Sequence, residues 1–206
     1  MPVKNDSLIR RIFPTAHRLL LDKHVKSYLN NVRGSVLIIG AGIEEYQKKL
    51  SKASEVILTD ISPVGESVLY ADAHCLPFDR SSFDYIVALE VFEHLQDPSL
   101  AASEIHRVLK PQGKVIITVP FMFRIHADPH DYQRFTYSGI TFLFSRFAGC
   151  SIKPYGSRLH VISDVVSTAS SFMVPFRILN HLITSFGLDN AISIDCPSGY
   201  IVELVK

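Results

Sequence analysis

The segment FRIHADPHDYQRFT, residues 123–136, concentrates side chains that take part in proton transfer and ion pairing. His126, His130 and Asp131 are candidate catalytic residues, because a histidine with a pKa near neutrality suits a general base and a carboxylate can accept a proton. Arg134 is a candidate to pair with a phosphate or carboxylate of a substrate. Since the segment follows an apolar run, we expect a polar loop at the end of a strand.

Two other interpretations of this loop stay open. Asp131 and Arg134 are also spaced for a structural ion pair that fixes the loop before the next helix. Metal binding would recruit His126, Asp128, His130 and Asp131, but a tight turn around a proline rarely presents four ligands to one point. We therefore predict no metal site.

Small residues follow the first apolar run, SVLIIG. Gly40, Ala41 and Gly42 stand there, where missing side chains let a ligand approach the backbone and a helix N-terminus can face an anionic group. A glycine pair at this position also serves close packing in many proteins. The pattern alone therefore leaves ligand binding and packing as alternatives.

An acidic residue stands at the end of each of the next three apolar runs, or shortly after it. Asp60 can accept hydrogen bonds from both hydroxyls of a ribose, and Asp72 with Ala73 places a carboxylate where the amine of an adenine could donate. Glu90 ends the fourth run. A lone acid after a strand commonly caps a loop or faces solvent, but three acids at successive strand ends favour a binding site.

The apolar runs themselves predict the fold. SVLIIG, EVILTD, FDYIVALE and GKVIITVP are short, rich in β-branched residues and separated by helical patterns, which is typical of buried parallel strands joined by crossovers. A short strand near VLY and a closing strand in SGYIVELVK complete the series. We predict a doubly wound α/β fold, in which ligands bind beyond the carboxyl ends of the strands.

Helix boundaries follow from capping residues. A leading helix is predicted to end at Gly34, and a later one to begin at Asp97 and Pro98 and end at Pro111 and Gly113. A third is predicted from Thr136 to Gly149.

Composition limits the classes of function. The 206 residues contain 21 Lys and Arg against 20 Asp and Glu, so no basic excess suggests nucleic acid as a partner. The three cysteines show no CxxC spacing, and we expect a reducing, cytoplasmic location.

No export signal is recognised, and the apolar stretch 161–186 is interrupted by charged residues and a proline, so we predict no membrane span, although peripheral membrane contact stays open.

We predict one domain over residues 1–206. It would consist of a leading helical segment over 1–33, a ligand-binding core over 34–149, and C-terminal helices and closing strands over 150–206.

From Val36 to Phe147 the chain resembles the class I S-adenosylmethionine-dependent methyltransferases, in their small-molecule, methyltransferase type 11-like branch. The resemblance rests on VLIIGAG, LTDIS, ADAHCLPFDRSSFDYIVALEVFEHLQDP and EIHRVLKPQGKVIITVP. It implies a Rossmann-like, mostly parallel seven-stranded sheet with helices on both faces and an antiparallel last strand. It also implies S-adenosylmethionine as the cofactor, and a cofactor site formed by Gly40, Ala41, Gly42, Asp60, Ile61, Asp72, Ala73, His74, Glu90 and Val91.

Two positions depart from the family pattern. Ile38 stands where the family usually has an acid, and Glu44 stands where it has a third glycine. We therefore expect the amino-acid end of the cofactor to be held differently or more weakly than in the family.

The acceptor side is expected to follow the fourth and fifth strands. The resemblance and the polar loop together indicate His94, Phe121, Tyr132 and Arg134 as substrate-binding residues. Aromatic side chains in this region suit a sulfonium that loses its charge during transfer. The predicted acceptor is a small molecule, with a sugar, a glycan precursor or a lipid-linked compound favoured.

Two alternatives to a methyltransferase remain. A non-catalytic module that binds S-adenosylmethionine is favoured by the departures at Ile38 and Glu44. A nicotinamide-dependent oxidoreductase would use the same sheet and ribose-binding acid, but GAGIEEY has Tyr46 where a glycine or alanine is expected.

Overall fold

A computed structural model describes residues 14–41, 50–126, 130–169 and 194–206. By internal contacts the chain divides into two compact units. One comprises residues 25–120, 125–153 and 200–206, and the other comprises 1–24, 121–124 and 154–199. The prediction of one domain over the whole chain stays a prediction.

A seven-stranded sheet forms the centre of the fold. Its strands are β1 Gly34–Ile39, β2 Ala53–Asp60, β3 Val68–Tyr70, β4 Phe83–Leu89, β5 Leu109–Pro120, β6 Gly149–Tyr155 and β7 Gly199–Val205. Their order across the sheet is β3-β2-β1-β4-β5-β7-β6. The five strands from β3 to β5 pair in parallel. β7 runs antiparallel to β5, because Gln112 donates to the carbonyl of Lys206 while Lys206 donates to that of Gly113. The predicted doubly wound fold is confirmed.

The apolar runs form the buried strands for the expected reason. Val36, Leu37, Ile86 and Ile117 on β1, β4 and β5 are fully inaccessible to solvent. Strands covered on both faces have no position at which a polar side chain could remain hydrated, so the sequence shows continuous apolar residues instead of alternation.

The sheet fixes where a ligand can bind. From β1 the chain winds to β2 and β3 at one edge, then returns to β4 beside β1 and winds the other way. The connections that follow β1 and β4 therefore diverge, and they leave a crevice at the carboxyl ends of these two strands.

Four α-helices and one 3-10 helix lie in the described residues. They are α1 Ala16–Leu29, α2 Pro98–Val108, α3 Tyr137–Leu143, α4 Arg158–Ala169 and the 3-10 helix Phe92–His94. None of these helices combines the length and the apolar character that a membrane span requires. The apolar stretch 161–186 is described only to residue 169, within α4, and its remainder lies outside the described residues.

Two predicted helix caps are confirmed. The carboxylate of Asp97 accepts hydrogen bonds from the backbone N–H groups of Ser99 and Leu100, each at 3.0 Å, with Pro98 in the first turn of α2. The hydroxyl of Thr136 accepts from the N–H of Gly139 at 3.1 Å.

Three predicted helix ends are wrong. α1 ends at Leu29, and Gly34 instead begins β1 with a φ of +78°. α2 ends at Val108 because Leu109 is extended and pairs with Phe83, so β5 begins there and contains both Pro111 and Gly113. α3 ends at Leu143. For α2, pairing with a distant strand overrides a local stop signal.

Asp164 is a buried carboxylate in the unit that contains residues 154–199. Its two oxygens accept hydrogen bonds from the backbone N–H groups of Ala16 at 2.7 Å and His17 at 2.8 Å. It therefore satisfies otherwise unpaired donors at the start of α1, which explains a charge within an apolar stretch.

Gly34 is the position in β1 where an added methyl group should destabilise the fold. A Cβ there would lie 2.5 Å from an oxygen of Asp84, on a backbone with φ of +78°. We expect Gly34→Ala to lower the free energy of unfolding by about 2 to 4 kcal/mol, from backbone strain and overpacking together. Urea unfolding followed by circular dichroism measures this change.

Gly65→Ala is the matched control. Gly65 also has a positive φ, of +96°, but nothing lies within 4 Å of its added Cβ. Backbone strain alone should therefore lower the free energy of unfolding of Gly65→Ala, by about 1 to 2 kcal/mol. Equal losses of unfolding free energy in the two variants would show that the contact between the added methyl group and Asp84 does not destabilise Gly34→Ala.

Asp84 should make stability depend on acidic pH. Its carboxylate accepts from Lys110 Nζ and from the Ser35 hydroxyl, each at 2.8 Å, and the pKa falls to about 2, chiefly because of the hydrogen bond from Lys110. A lowered folded-state pKa stabilises the fold above the unfolded value, and this contribution disappears as pH falls from about 4 to about 2.

Asp84→Asn tests this pH dependence. At neutral pH the variant should be less stable than the wild type by about 1 kcal/mol, and the difference should shrink towards pH 2. A difference that is constant with pH would assign the effect to packing instead of charge.

Candidate functional site

Gly40 and Ala41 turn the chain at the carboxyl end of β1. Both backbone N–H groups donate to the carbonyl of Thr59, at 2.9 and 3.0 Å. Gly40 has a φ of +74°, and a Cβ there would lie 2.5 Å from a methyl carbon of Val91. Close packing between the end of β1 and Val91, in the segment that follows β4, therefore requires this glycine. Gly42, like Glu44 and Tyr46, lies outside the described residues.

Asp60 ends β2 beside this turn. One of its carboxylate oxygens accepts a hydrogen bond from the N–H of Ser62 at 2.8 Å, which orients the side chain. Its own carbonyl accepts from the N–H of Ala71, so the ends of β2 and β3 are joined. Ile61 follows with 45 % of its surface exposed, available for contact with a bound ligand.

Asp72 and His74 form a pair after β3. Asp72 Oδ1 accepts from the backbone N–H of His74 at 2.9 Å and lies 2.6 Å from its ring Nδ1, and the pKa of Asp72 is lowered chiefly by that backbone hydrogen bond. The other ring nitrogen accepts from the N–H of Asp97 at 3.2 Å. Both ring nitrogens of His74 thus have partners within the protein, and they hold Asp72 in place. Ala73 between them is buried.

Glu90 follows β4 and has a φ of +55°, a left-handed backbone conformation that residues other than glycine rarely adopt. Its N–H donates to the carbonyl and to the hydroxyl of Thr118 on β5, each at 3.1 Å. Such strain persists where the surrounding structure fixes it, and it is enriched at functional sites. Glu90, with Val91 next to it, therefore has a well-defined place on the rim.

A cavity lies below this rim, at the carboxyl ends of β1 and β4. Its wall is apolar and consists of Leu29, Ile38, Ile39, Gly40, Ala41, Leu50, Val87 and Leu89. Ile38, the first departure from the family pattern, thus contributes an apolar surface where an acid was expected. None of the rim carboxylates lines this cavity.

The predicted polar loop is bound to the turn that follows β4. Tyr132 donates its backbone N–H to the carbonyl of Glu93 at 2.8 Å, and its hydroxyl accepts from Gln96 Nε2 at 2.8 Å. Gln133 donates to the carbonyl of Leu95 at 2.9 Å. These contacts bring residues 130–134 beside the 3-10 helix, although the two segments are far apart in the sequence.

Asp131 and Arg134 form the ion pair that was one interpretation of the loop. The Arg134 guanidinium contacts both carboxylate oxygens, with Nη2 2.7 Å from Oδ2. Asp131 also accepts the backbone N–H of His126 at 2.9 Å. The pKa of Asp131 falls to about 2, chiefly because of Arg134. A carboxylate of that pKa is a weak base, so the structure favours a positioning role for both residues.

The other predicted acceptor residues differ in their surroundings. The side chain of His130 is exposed, with its ring 5.6 Å from that of Tyr132. The His130 carbonyl accepts a hydrogen bond from His94 Nδ1. Phe121 belongs to the other unit, where its N–H donates to the carbonyl of Ser198 at 2.8 Å.

Glu93 was not predicted, yet it is the most unusual side chain here. It is fully buried, and neither carboxylate oxygen has a hydrogen-bond partner among the described residues. Burial away from water, followed by the charge of Glu90, raises the pKa of Glu93 to about 9. His94 Nε2 lies 3.6 Å from its Oε1, and the rings of His94 and His126 meet edge to face at 5.1 Å. In the sequence Glu93 looks like any acid at the start of a short helix, and no local signal marks its burial.

Comparison with known proteins agrees with this fold. Residues 37–117 match the family described as a methyltransferase domain. A demethylmenaquinone methyltransferase of Staphylococcus epidermidis is 34 % identical over 112 residues, which are 46 % of this chain and 46 % of that protein. An O-methyltransferase of Aspergillus nomiae is 27 % identical over 134 residues, 56 % of this chain and 60 % of that protein. The chain therefore spans about half the length of the curated relatives it matches.

Solved structures share the architecture. An S-adenosylmethionine-dependent methyltransferase from Archaeoglobus fulgidus matches with a TM-score of 0.61 and 22 % identity, over 97 % of this chain and 98 % of that one. Phosphoethanolamine N-methyltransferase 2 of Haemonchus contortus, solved with S-adenosylmethionine, has a TM-score of 0.60 and 18 % identity, over 90 % of this chain and 52 % of that one. Identities this low show the fold alone.

The family match runs from β1 into β5, and so it contains the turn at Gly40 and the rim acids Asp60, Asp72 and Glu90. Together with the confirmed doubly wound sheet, this supports the resemblance of the chain to the class I S-adenosylmethionine-dependent methyltransferases, with residues 37–117 similar to a methyltransferase domain.

Proposed function

We propose that this protein binds S-adenosylmethionine at the rim of the sheet and transfers its methyl group to a small molecule. One observation carries the proposal. Gly40, Asp60, Asp72 and Glu90 stand at the carboxyl ends of four adjacent parallel strands, where a doubly wound sheet binds its ligand. The family match supports the same cofactor.

Each rim residue has a role that its position supports. Asp60, oriented by Ser62, would accept hydrogen bonds from the ribose hydroxyls. Asp72, held ionised by His74, would accept from the adenine amine, with the small Ala73 beside the ring. Ile61 and His74 would flank the nucleoside.

The methionine end would lie over the turn after β1. Gly40 and Ala41 have at most a methyl side chain there, Gly42 is proposed with them on sequence grounds, and Glu90 with Val91 would close the opposite side. Because Ile38 presents a methyl-rich wall instead of a carboxylate, we expect the ammonium group to be held mainly by other groups.

Methyl transfer depends more on the alignment of the two reactants and the exclusion of water than on covalent catalysis by a side chain. The cofactor supplies a methyl group on a positively charged sulfur, which is a good leaving group. An acceptor oxygen, nitrogen or carbon forms the new bond as the carbon–sulfur bond breaks, and the electron pair stays on sulfur. Positioning of the two reactants can supply an effective molarity of about 10⁵ M or more.

The acceptor side would be built from the loop bound to the 3-10 helix. Tyr132 and His94 would contact the acceptor, and His126 or His130 would take its proton where the acceptor is a hydroxyl. Arg134 would act through Asp131, by holding the loop. Phe121 is retained as a candidate substrate contact on sequence grounds alone.

A small acceptor is consistent with the net charge of +1, which gives no electrostatic attraction for nucleic acid. Relatives named as demethylmenaquinone and phosphoethanolamine methyltransferases indicate small acceptors in the same family. A sugar, glycan precursor or lipid-linked compound remains our finer proposal, supported by the polar loop.

Asp60→Ala should weaken cofactor binding without unfolding the protein. Losing the hydrogen bonds to the ribose should raise the Kd for S-adenosylhomocysteine by about 10- to 100-fold. Isothermal titration calorimetry measures this change, and circular dichroism verifies the fold.

Glu55→Ala on the same strand is the control. Glu55 is exposed near the amino end of β2, so its loss should leave the Kd unchanged. Wild-type affinity in Asp60→Ala would remove Asp60 from the site, and heat of binding with NAD but not with S-adenosylhomocysteine would support an oxidoreductase instead.

Transfer itself should be detectable without knowing the acceptor. When the protein is incubated with methyl-labelled S-adenosylmethionine and a cell extract, label should appear in the small-molecule fraction. At a cofactor concentration near the wild-type Kd, Asp60→Ala should reduce this label by about 5- to 50-fold, as its weaker cofactor binding requires. Tight cofactor binding with no labelled product in any extract would support a non-catalytic binding module.

A further inference from the structure

Glu93 provides the first reason to look for a ligand that the methyltransferase reaction does not require. Its carboxylate is fully buried, and neither oxygen has a hydrogen-bond partner in the part of the chain that the structure describes. Buried carboxylates are normally paired, hydrogen-bonded or bound to a metal ion, because leaving one without a partner is costly.

Two imidazoles face this carboxylate. One ligand atom from each of Glu93, His94 and His126 lies within 4.8 Å of the other two, and Oε1 of Glu93 is 3.6 Å from Nε2 of His94. Ligands about 2.1 Å from a tetrahedral ion stand about 3.4 Å apart, so this pair needs little movement to share an ion.

The histidines are oriented as metal ligands usually are. His94 Nδ1 is hydrogen-bonded to the carbonyl of His130, which places the proton on Nδ1 and the lone pair on Nε2. His126 Nδ1 lies 3.4 Å from Oδ2 of Asp131, which Arg134 holds in turn. A carbonyl or carboxylate behind the ring is the typical outer partner of a metal-bound histidine.

The surrounding charges leave room for a cation. Glu93 interacts electrostatically with Glu90 and Asp131, which are acidic, and with Arg134, which is basic. The bidentate contact between Asp131 and Arg134 pairs these two charges with each other. The Glu93 carboxylate takes no part in that contact, and a divalent ion would place a positive charge beside it.

We propose that Glu93, His94 and His126 bind a divalent transition-metal cation through one carboxylate oxygen and two imidazole nitrogens. Nitrogen and oxygen ligands together suit Zn²⁺, Co²⁺, Ni²⁺ or Fe²⁺ better than Mg²⁺, which prefers oxygen ligands alone. Three protein ligands leave at least one coordination position for water or for an acceptor oxygen. The proposal goes beyond methyl transfer and does not depend on it, and with the ion bound His130 instead of His126 would take the proton of the acceptor.

This set differs from the one considered in the sequence. Of those four residues, Asp131 is paired with Arg134, the ring of His130 is exposed, and Asp128 lies outside the described residues. Only His126 is common to both sets. The proposal replaces the sequence-based prediction that no metal site exists.

Metal binding can be measured on the full chain without cofactor or acceptor. Protein stripped with a chelator is titrated with Co²⁺, using its visible absorption, and with Zn²⁺, using calorimetry. We expect saturation at a single tight site, with Zn²⁺ displacing Co²⁺ and an excess of Mg²⁺ displacing neither. His126→Gln and Glu93→Gln should each weaken binding by about 100-fold or more, since each removes a direct ligand.

His130→Gln is the matched control, because it removes an imidazole from the same loop but keeps the carbonyl that holds His94. It should leave metal affinity unchanged. His126 is partly exposed, so its variant should fold even if Glu93→Gln does not, and circular dichroism verifies both. Absence of saturable binding in the wild type, or equal affinity in wild type and His126→Gln, would overturn the proposal.

Discussion

Parallel pairing of β1 with both β2 and β4 is the constraint on which the rest of the structure depends. Parallel neighbours require crossovers, and every strand of the parallel set therefore ends at the same edge. The winding reverses between β1 and β4, so the two connections separate there. Glycines and acids that are far apart along the chain become neighbours on one rim.

A second set of contacts attaches the polar loop to this sheet. Backbone and side-chain hydrogen bonds from residues 130–134 reach the 3-10 helix, and the pair Asp131 and Arg134 holds the loop from within. Residues that look catalytic by type thus divide into two kinds. Asp131 and Arg134 neutralise each other and position the loop, whereas His94 and His126 lie next to the buried carboxylate of Glu93, which accepts no hydrogen bond from the residues that the structure describes.

Much of the fold followed from the sequence, because short runs rich in β-branched residues and separated by helical patterns are typical of buried parallel strands, and because caps such as Asp97 and Thr136 act on their own helices. The ends of the helices did not follow. Leu109 leaves α2 because it pairs with Phe83, and Gly34 adopts its conformation where Asp84 crowds it. Such choices depend on a partner more than twenty residues away, which no local signal records.

The sequence by itself determined the alternation of strands and helices, the family resemblance, and the acids and glycines at the strand ends. Each of these depends on residue types at fixed distances along the chain. Only the tertiary structure decided which polar groups satisfy one another. Glu90 and Glu93 are both acids of the same segment, yet burial changes the pKa of Glu93 and places it against His94 and His126. Desolvation and pairing depend on which residues surround a side chain in the folded protein. Many of these neighbours are distant in the sequence, so no local pattern reveals them.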